Sequence, residues 1–408
     1  MKRQTRNHRN RVLSCVLIFV CLFILLTEWL CFQLDVFDVR KVFDFKNVFL
    51  TQNNELIKED LNQKDDAKEN IDTFPKVTKL SLVMVGDALF HTALYEDGKT
   101  ENGYDFKEML SFMKPIISSY DLAFYNQESI LGGSDLGLSS YPRFNSPYEV
   151  GDAFLDAGFN MVSLANNHTL DRGEEAILNS VSYWKKKGIM YHGSASSWDD
   201  RNQVKVMEKN GIRYVLLSYT DYTNDIPVPV GQEYLVNVYS EEQVKKDIEA
   251  IRNQTDVILV AMHFGEEYSF EVTERQRQIA EFLASQGVTI VIGHHPHVVQ
   301  PVEMIENTLV IYSLGNFISA QRGIERLTGL IYSVDIVKEE NENGSRVYLE
   351  NQKASLTYTY SETTDGYRHN FKVYPYHRLT ENLLPNWKDY YNQYMNIVLS
   401  NRQDIEKW

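Results

Sequence analysis

Three histidines in four residues, Gly293-His294-His295-Pro296-His297, follow the apolar run Val288–Ile292. Imidazoles at that density have little use in packing; they suit metal ligation or proton transfer. Five more apolar runs end in polar groups. Leu80–Val85 leads into Gly86-Asp87, Leu122–Tyr125 into Asn126-Gln127-Glu128, and Met161–Ala165 into Asn166-Asn167-His168 with Asp171. Val257–Met262 leads into His263-Phe264-Gly265-Glu266-Glu267, and Leu309–Leu314 into Gly315-Asn316-Phe317. Asp87, Glu128, Asn167, His263, His295 and His297 thus offer hard oxygen and imidazole donors without sulfur. That set suits one or two divalent ions of Mn, Zn or Fe; a pair roughly 3.5–4 Å apart is the usual hydrolytic clamp on a phosphoryl group. Cysteine sulfur is absent from the body of the chain, because the three cysteines, Cys15, Cys21 and Cys31, all precede it. Cysteine nucleophiles, cysteine–zinc sites and disulfide scaffolds are excluded there.

The elements that must position these groups alternate. To the runs above, Tyr214–Thr220 and Leu330–Val337 add two more strands. Tyr148–Ala157, Glu174–Lys187, Glu241–Asn253 and Glu274–Gln286 have helical periodicity. Ser240-x-x-Gln243 and Thr273-x-x-Gln276 read as capping boxes, and Gly188 and Gly287 as helix stops. Such alternation predicts an α/β domain over residues 79–340, with a layered sheet core flanked by helices. In open α/β sheets the carboxyl ends of the strands form the ligand crevice, so the polar groups are expected on one edge. Beyond residue 340, Arg346–Tyr360 and Phe371–Tyr376 read as strands and Pro385–Ser400 as a helix. This Tyr-rich 341–408 segment is expected to be a small α+β extension packed on the core.

The N-terminus carries a different signal. Residues 1–11 form a basic tail, and 12–32 are apolar enough and long enough to cross about 30 Å of hydrocarbon as a helix. The basic residues before it place the tail in the cytoplasm and the rest outside, which predicts a single-pass signal anchor in the cell membrane. No small-x-small cleavage site follows the apolar run. Residues 33–78 read as a stalk, its later part polar and solvated. The chain carries a net charge of −15, made of +4 in residues 1–34 and −19 in the remainder. A body that acidic repels phosphate backbones, which excludes general nucleic-acid binding.

With these residues in view, the chain resembles the bacterial capsule-synthesis family of the poly-γ-glutamate type (CapA/PgsA), itself similar to calcineurin-like metallophosphoesterases. The resemblance rests on the strand-end motifs above, on Tyr141-Pro142-Arg143-Phe144, and on Tyr312-Ser313-Leu314-Gly315-Asn316-Phe317, in family order from about Leu80 to Asp335. It implies Asp87 and His297 on a first metal, Glu128 as the bridging carboxylate, and Asn167, His263 and His295 on a second. It implies His168, with Asp171, as the catalytic pair, and Asn126, Arg143, Glu267, His294 and Asn316 as substrate-binding residues. Two departures stand out. Leu89 occupies the position of an expected ligand histidine, with His91 the nearby candidate to replace it, and Asn126-Gln127-Glu128 stands where the pattern has Gly-Asp-x-x-Asp. Two functions follow from the resemblance. One is a metal-dependent hydrolase or transferase acting on an anionic surface polymer or its phosphate-containing precursor. The other is a non-catalytic assembly or export factor in a capsule-polymer synthase complex.

Overall fold

The structure is a computed structural model that describes residues 75–342 and 344–408. The basic tail, the apolar segment expected to cross the membrane and nearly all of the expected stalk lie outside the described residues. The first strand, β1 (Lys76–Leu89), begins slightly before the expected boundary at residue 79. It is followed by β2 (Leu122–Asn126), β3 (Met161–Ser163) and β4 (Met190–His192), which pair in parallel in that order. A second sheet is built from β5 (Ile212–Thr220), β6 (Val257–His263), β7 (Ile290–His294) and β8 (Thr308–Ile311), all parallel. Short antiparallel strands at Met207–Lys209 and Val302–Ile305 close its two edges.

Period-two alternation sorts each strand's side chains to two faces. Leu82, Met84 and Phe124 meet Leu216, Leu259 and Ile292 between the two sheets, all buried. The alternate residues Val83, Val85 and Tyr125 pack under helices α1 (Glu149–Asp156) and α2 (Gly173–Lys187), against Phe154 and Trp184. Val215, Val260 and Met262 do the same under α3 (Glu241–Ile251) and α4 (Glu274–Ser285), against Ile248 and Leu283. The result is four layers: helix, sheet, sheet, helix. Strands read as continuous apolar runs because both of their faces are covered. Thr273 forms a full capping box with Gln276, whereas Ser240 only accepts from the Gln243 amide. Gly188 ends α2 in the left-handed conformation, at φ 71°.

The chain then crosses between sheets. Leu309–Leu314 is not one strand, because β8 stops at Ile311 and β9 (Asn316–Ser319) joins the first sheet beside the end of β1, with Asn316 opposite Asp87. The crossing needs close backbone approach. The Asp87 amide donates to the Gly315 carbonyl at 2.9 Å, and a Cβ on Gly86 would lie 1.8 Å from that oxygen.

The C-terminal segment differs from the expected extension laid on the sheet. β10 (Thr328–Asn341) pairs with β1 and turns directly into the 21-residue β11 (Gly344–Thr364), which pairs with β12 (Tyr367–Pro375). These strands continue the first sheet edge-on, and a boundary at residue 340 falls at a hairpin turn. The last helix, α5 (Trp387–Val398), contributes Tyr394, Met395 and Val398 to the core between the sheets. Tyrosines are common here because they suit half-buried outer strands.

Candidate metal centre

The strand ends of both sheets meet at one place. Asp87 lies near the end of β1, at an irregularity in its pairing with β2 and β9. Its Oδ1 accepts from Asn126 Nδ2 at 2.9 Å and lies 3.1 Å from His294 Nδ1; its Oδ2 lies 3.3 Å from His297 Nδ1. Glu128, two residues past β2, has Oε1 3.6 Å from both His263 Nε2 and His297 Nε2. His263 Nε2 is 2.9 Å from Asn167 Oδ1 and 3.1 Å from His295 Nδ1. Asp87, Glu128, Asn167, His263, His295 and His297 therefore form one cluster.

Three overlapping donor groups occur in it and at its rim: Asp87–Glu128–His297, Glu128–His263–His295 and Glu267–His295–His297, with the donor atoms of each within 4.8 Å of one another. Glu128 belongs to two of them. Both of its oxygens are buried without a hydrogen-bond partner. An unpaired buried carboxylate is strongly disfavoured, and a cation among the three imidazoles would relieve it. The donor set therefore fits a divalent ion of the Mn, Zn or Fe kind. Burial, then the charges of Asp87, Glu267 and Asp171, push the Glu128 carboxyl well above its ordinary range. Burial opposes the charge on Asp87 too, but His294 and His297 outweigh it and hold that carboxyl well below the usual range. Burial pushes His263 far down and His295 to about 3, so both imidazoles are neutral, as ligands must be. His295 and His297 sit at φ 100° and 57°, strained values for non-glycine residues of the kind that concentrate at functional sites.

Several expected substrate contacts are placed otherwise. Asn126, His294 and Asn316 are completely buried, as Asp87 and Glu128 are, and each lies against a donor of the cluster. Asn126 Nδ2 is tied to Asp87. His294 points inward against Phe124, with ring centroids 5.5 Å apart, because as the last residue of β7 it alternates away from the loop. Asn316 Oδ1 lies 3.0 Å from His297 Nδ1, while its Nδ2 donates to Gln321 Oε1 and the Arg326 carbonyl. It orients His297 rather than meeting substrate, since fixing Nδ1 as donor leaves Nε2 free on the side of Glu128. Glu267 is exposed and joins the donors at the rim. Arg143 is exposed too, and among the described residues it pairs with no carboxylate. Leu89 is buried in the core, and His91 does not take its place among the donor groups. The His91 Nδ1 is held at 3.0 Å by the Leu89 carbonyl, and its ring meets Phe144 edge-on.

His168 and Asp171 form a dyad beside the cluster, Nδ1 to Oδ2 at 2.7 Å, with the Phe144 amide donating to the same oxygen and the Phe144 ring against His168. Two contributors escaped the sequence reading. Tyr222 places its hydroxyl on His295 Nε2, and Asn224 bridges Asn167 Nδ2 at 3.1 Å and His168 Nδ1 at 3.4 Å. Both follow β5, whose end is as polar (Thr220-Asp221-Tyr222-Thr223-Asn224) as the ends that were singled out. Applying the strand-end rule to that strand also would have found them.

The fold and the cluster define a four-layer α/β protein with a carboxylate–imidazole centre at the sheet edge. The chain belongs to the family described as bacterial capsule synthesis protein PGA_cap, whose profile matches residues 81–321. It is 27% identical over 256 residues to the capsule biosynthesis protein CapA of Bacillus anthracis, covering 60% of either chain. It is 29% identical over 176 residues to the PGA biosynthesis protein CapA of Bacillus subtilis strain 168, covering 41% of this chain and 44% of the relative. The chain thus matches less than two thirds of the length of either relative. Among solved structures it is similar to the calcineurin-like phosphoesterase YfkN of Bacillus subtilis, at 15% identity and a TM-score of 0.38, over 67% of this chain and 91% of that one.

Proposed function

We propose that this chain is a membrane-anchored, extracellular capsule-biosynthesis protein whose strand-end cluster is the centre of a metal-dependent hydrolase or transferase. Its substrate is an anionic surface polymer of the poly-γ-glutamate kind or a phosphate-containing precursor, handled beside a polymer synthase. The observation that carries the reading is Glu128: a fully buried carboxylate with two unpartnered oxygens between the imidazoles of His263 and His297 serves a cation and little else. Asp87, Glu128, Asn167, His263, His295 and His297 would hold the metal, which supplies Lewis-acid polarisation of a substrate oxygen. Asp171 fixes the Nδ1 face of His168, leaving Nε2 to give a proton to a leaving oxygen or to stabilise developing negative charge. Family membership and the N-terminal sequence signal support the capsule and membrane parts of this reading.

The test is elemental analysis of the full chain in detergent, alongside turnover of phosphomonoester and phosphodiester probes. Bound Mn, Zn or Fe is expected, and H295A/H297A is expected to lose it by at least a hundredfold while remaining folded. H168A is expected to keep the metal and lose turnover by about 10²–10⁴-fold. Full metal loading, no turnover of any probe, and intact capsule formation with H168A would reject the enzyme and leave an assembly factor.

A further inference from the structure

Beside the metal centre lies an open pocket of about 370 Å³, between the β9–β10 connection and the β11–β12 hairpin. Arg322 and Arg368 line it, together with the hydroxyl residues Thr359, Ser361 and Thr363, and no acidic side chain does. In a chain with 56 acidic and 41 basic residues that is an unusual lining. Arg368 is half-buried and braced. Its Nη1 donates to the Ala320 and Gln321 carbonyls at 2.7 and 3.1 Å, its Nε donates to Ser361 Oγ at 2.9 Å, and its plane covers the Phe371 ring. Its Nη2 has no partner among the described residues. Arg322 is exposed and has neither an ion pair nor a hydrogen bond among them, and its charge adds to burial in disfavouring the charge on Arg368. Glu325, in the same segment, is engaged by Arg326 instead. Two guanidiniums near one another without a counter-charge are stabilised by a bound anion, and the braced one, Arg368, loses little freedom on binding it.

One side chain connects the pocket to the metal centre. Gln321 lines the pocket, accepts from Asn316 Nδ2 at 2.9 Å and donates to the Tyr268 hydroxyl at 3.3 Å, and Asn316 holds His297. The pocket and the metal centre are therefore neighbours, separated by the Gln321 and Asn316 side chains. We propose that the Arg322–Arg368 pocket is an anion subsite that seats a carboxylate or phosphate group of an extended substrate while a neighbouring unit lies at the metal centre. The polymer's identity rests on the function proposed above; the subsite itself rests on the pocket.

Calorimetric titration of the full chain in detergent, with chelator present, tests the subsite without metal or turnover. The probes are a γ-linked glutamate tetramer, its uncharged γ-linked glutamine counterpart, and inorganic phosphate. The acidic tetramer is expected to bind and the amide tetramer not. R322A is expected to weaken binding at least tenfold with unchanged metal content on reloading, and R322K less. Competition by phosphate at comparable concentration identifies a phosphate-bearing ligand for the subsite, and its absence a carboxylate chain. Equal binding by R322A, R322E and the native chain overturns the proposal. A chain that binds the tetramer yet turns nothing over keeps the subsite and loses the enzyme, so the two failures are distinct.

Discussion

Asp247 and Glu128 are both buried carboxylates, and their surroundings differ in kind. Asp247, on α3, receives Arg201 Nη1 and Gln243 Nε2 on one oxygen and Arg201 Nη2 and the Tyr219 hydroxyl on the other, at 2.7–3.2 Å. Every lone pair has a donor within the protein, and burial is outweighed by Arg201, which holds the carboxyl below its usual range. Glu128 has no donor and faces other acids. The first arrangement is closed and holds layers together. The second stays open to an added cation. Satisfaction of buried polar atoms, rather than burial or charge, separates the structural network from the chemical one.

Four measurements break or sharpen this contrast. The largest stability effect is expected at the closed network. D247N leaves the Arg201 guanidinium buried without its counter-charge and should cost about 3–5 kcal/mol by denaturant unfolding. A loss below 1 kcal/mol would show that the network is not structural. N316A removes the group that orients His297 and should weaken metal affinity about 10–100-fold, measured by chelator competition, and should cost the metal-free protein about 1–3 kcal/mol because its buried partners lose their hydrogen bonds. His192, near the closed network, sharpens it through pH. Burial, aided by the Arg201 charge, lowers its folded value to about 3, against 6.5 for the free side chain. The unfolded chain therefore takes the proton first. The stability contribution is full above pH 6.5 and falls by about 1.4 kcal/mol per pH unit as pH drops toward 3. Comparison of native chain and H192Q between pH 7 and 5 should show the steeper slope in the native chain. The smallest effect has the opposite sign. E128Q should stabilise the metal-free protein by about 1 kcal/mol at pH 7 while removing metal affinity, and a destabilised metal-free E128Q would put Glu128 in the structural class.

Much of the fold was legible because its signals are local. Strands buried on both faces read as apolar runs, and α2, α3 and α4 were bounded within a residue or two by Gly188, Ser240 and Thr273. The donors were legible because they directly follow strands. Less visible was which donors face inward. Asn126, His294 and Asn316 share segments with the cluster and each lies buried against one of its donors, Asp87 or His297, a consequence of alternation and of the crossing of β9 into the first sheet. Arg322 and Arg368 carry no motif. They matter because two distant segments enclose one acid-free pocket, which no spacing along the chain reveals.

The amino-acid order by itself determined the alternation of strands and helices, the sulfur-free donor set and the apolar N-terminal run. These depend on periodicity and residue chemistry over a few neighbours. Tertiary structure alone decided that residue 87 meets residues 263, 295 and 297, that Tyr222 and Asn224 complete the rim, and that residues 344–375 extend the sheet instead of covering it. Those outcomes depend on how two sheets pair and pack, and that energy is summed over contacts between segments far apart in the chain.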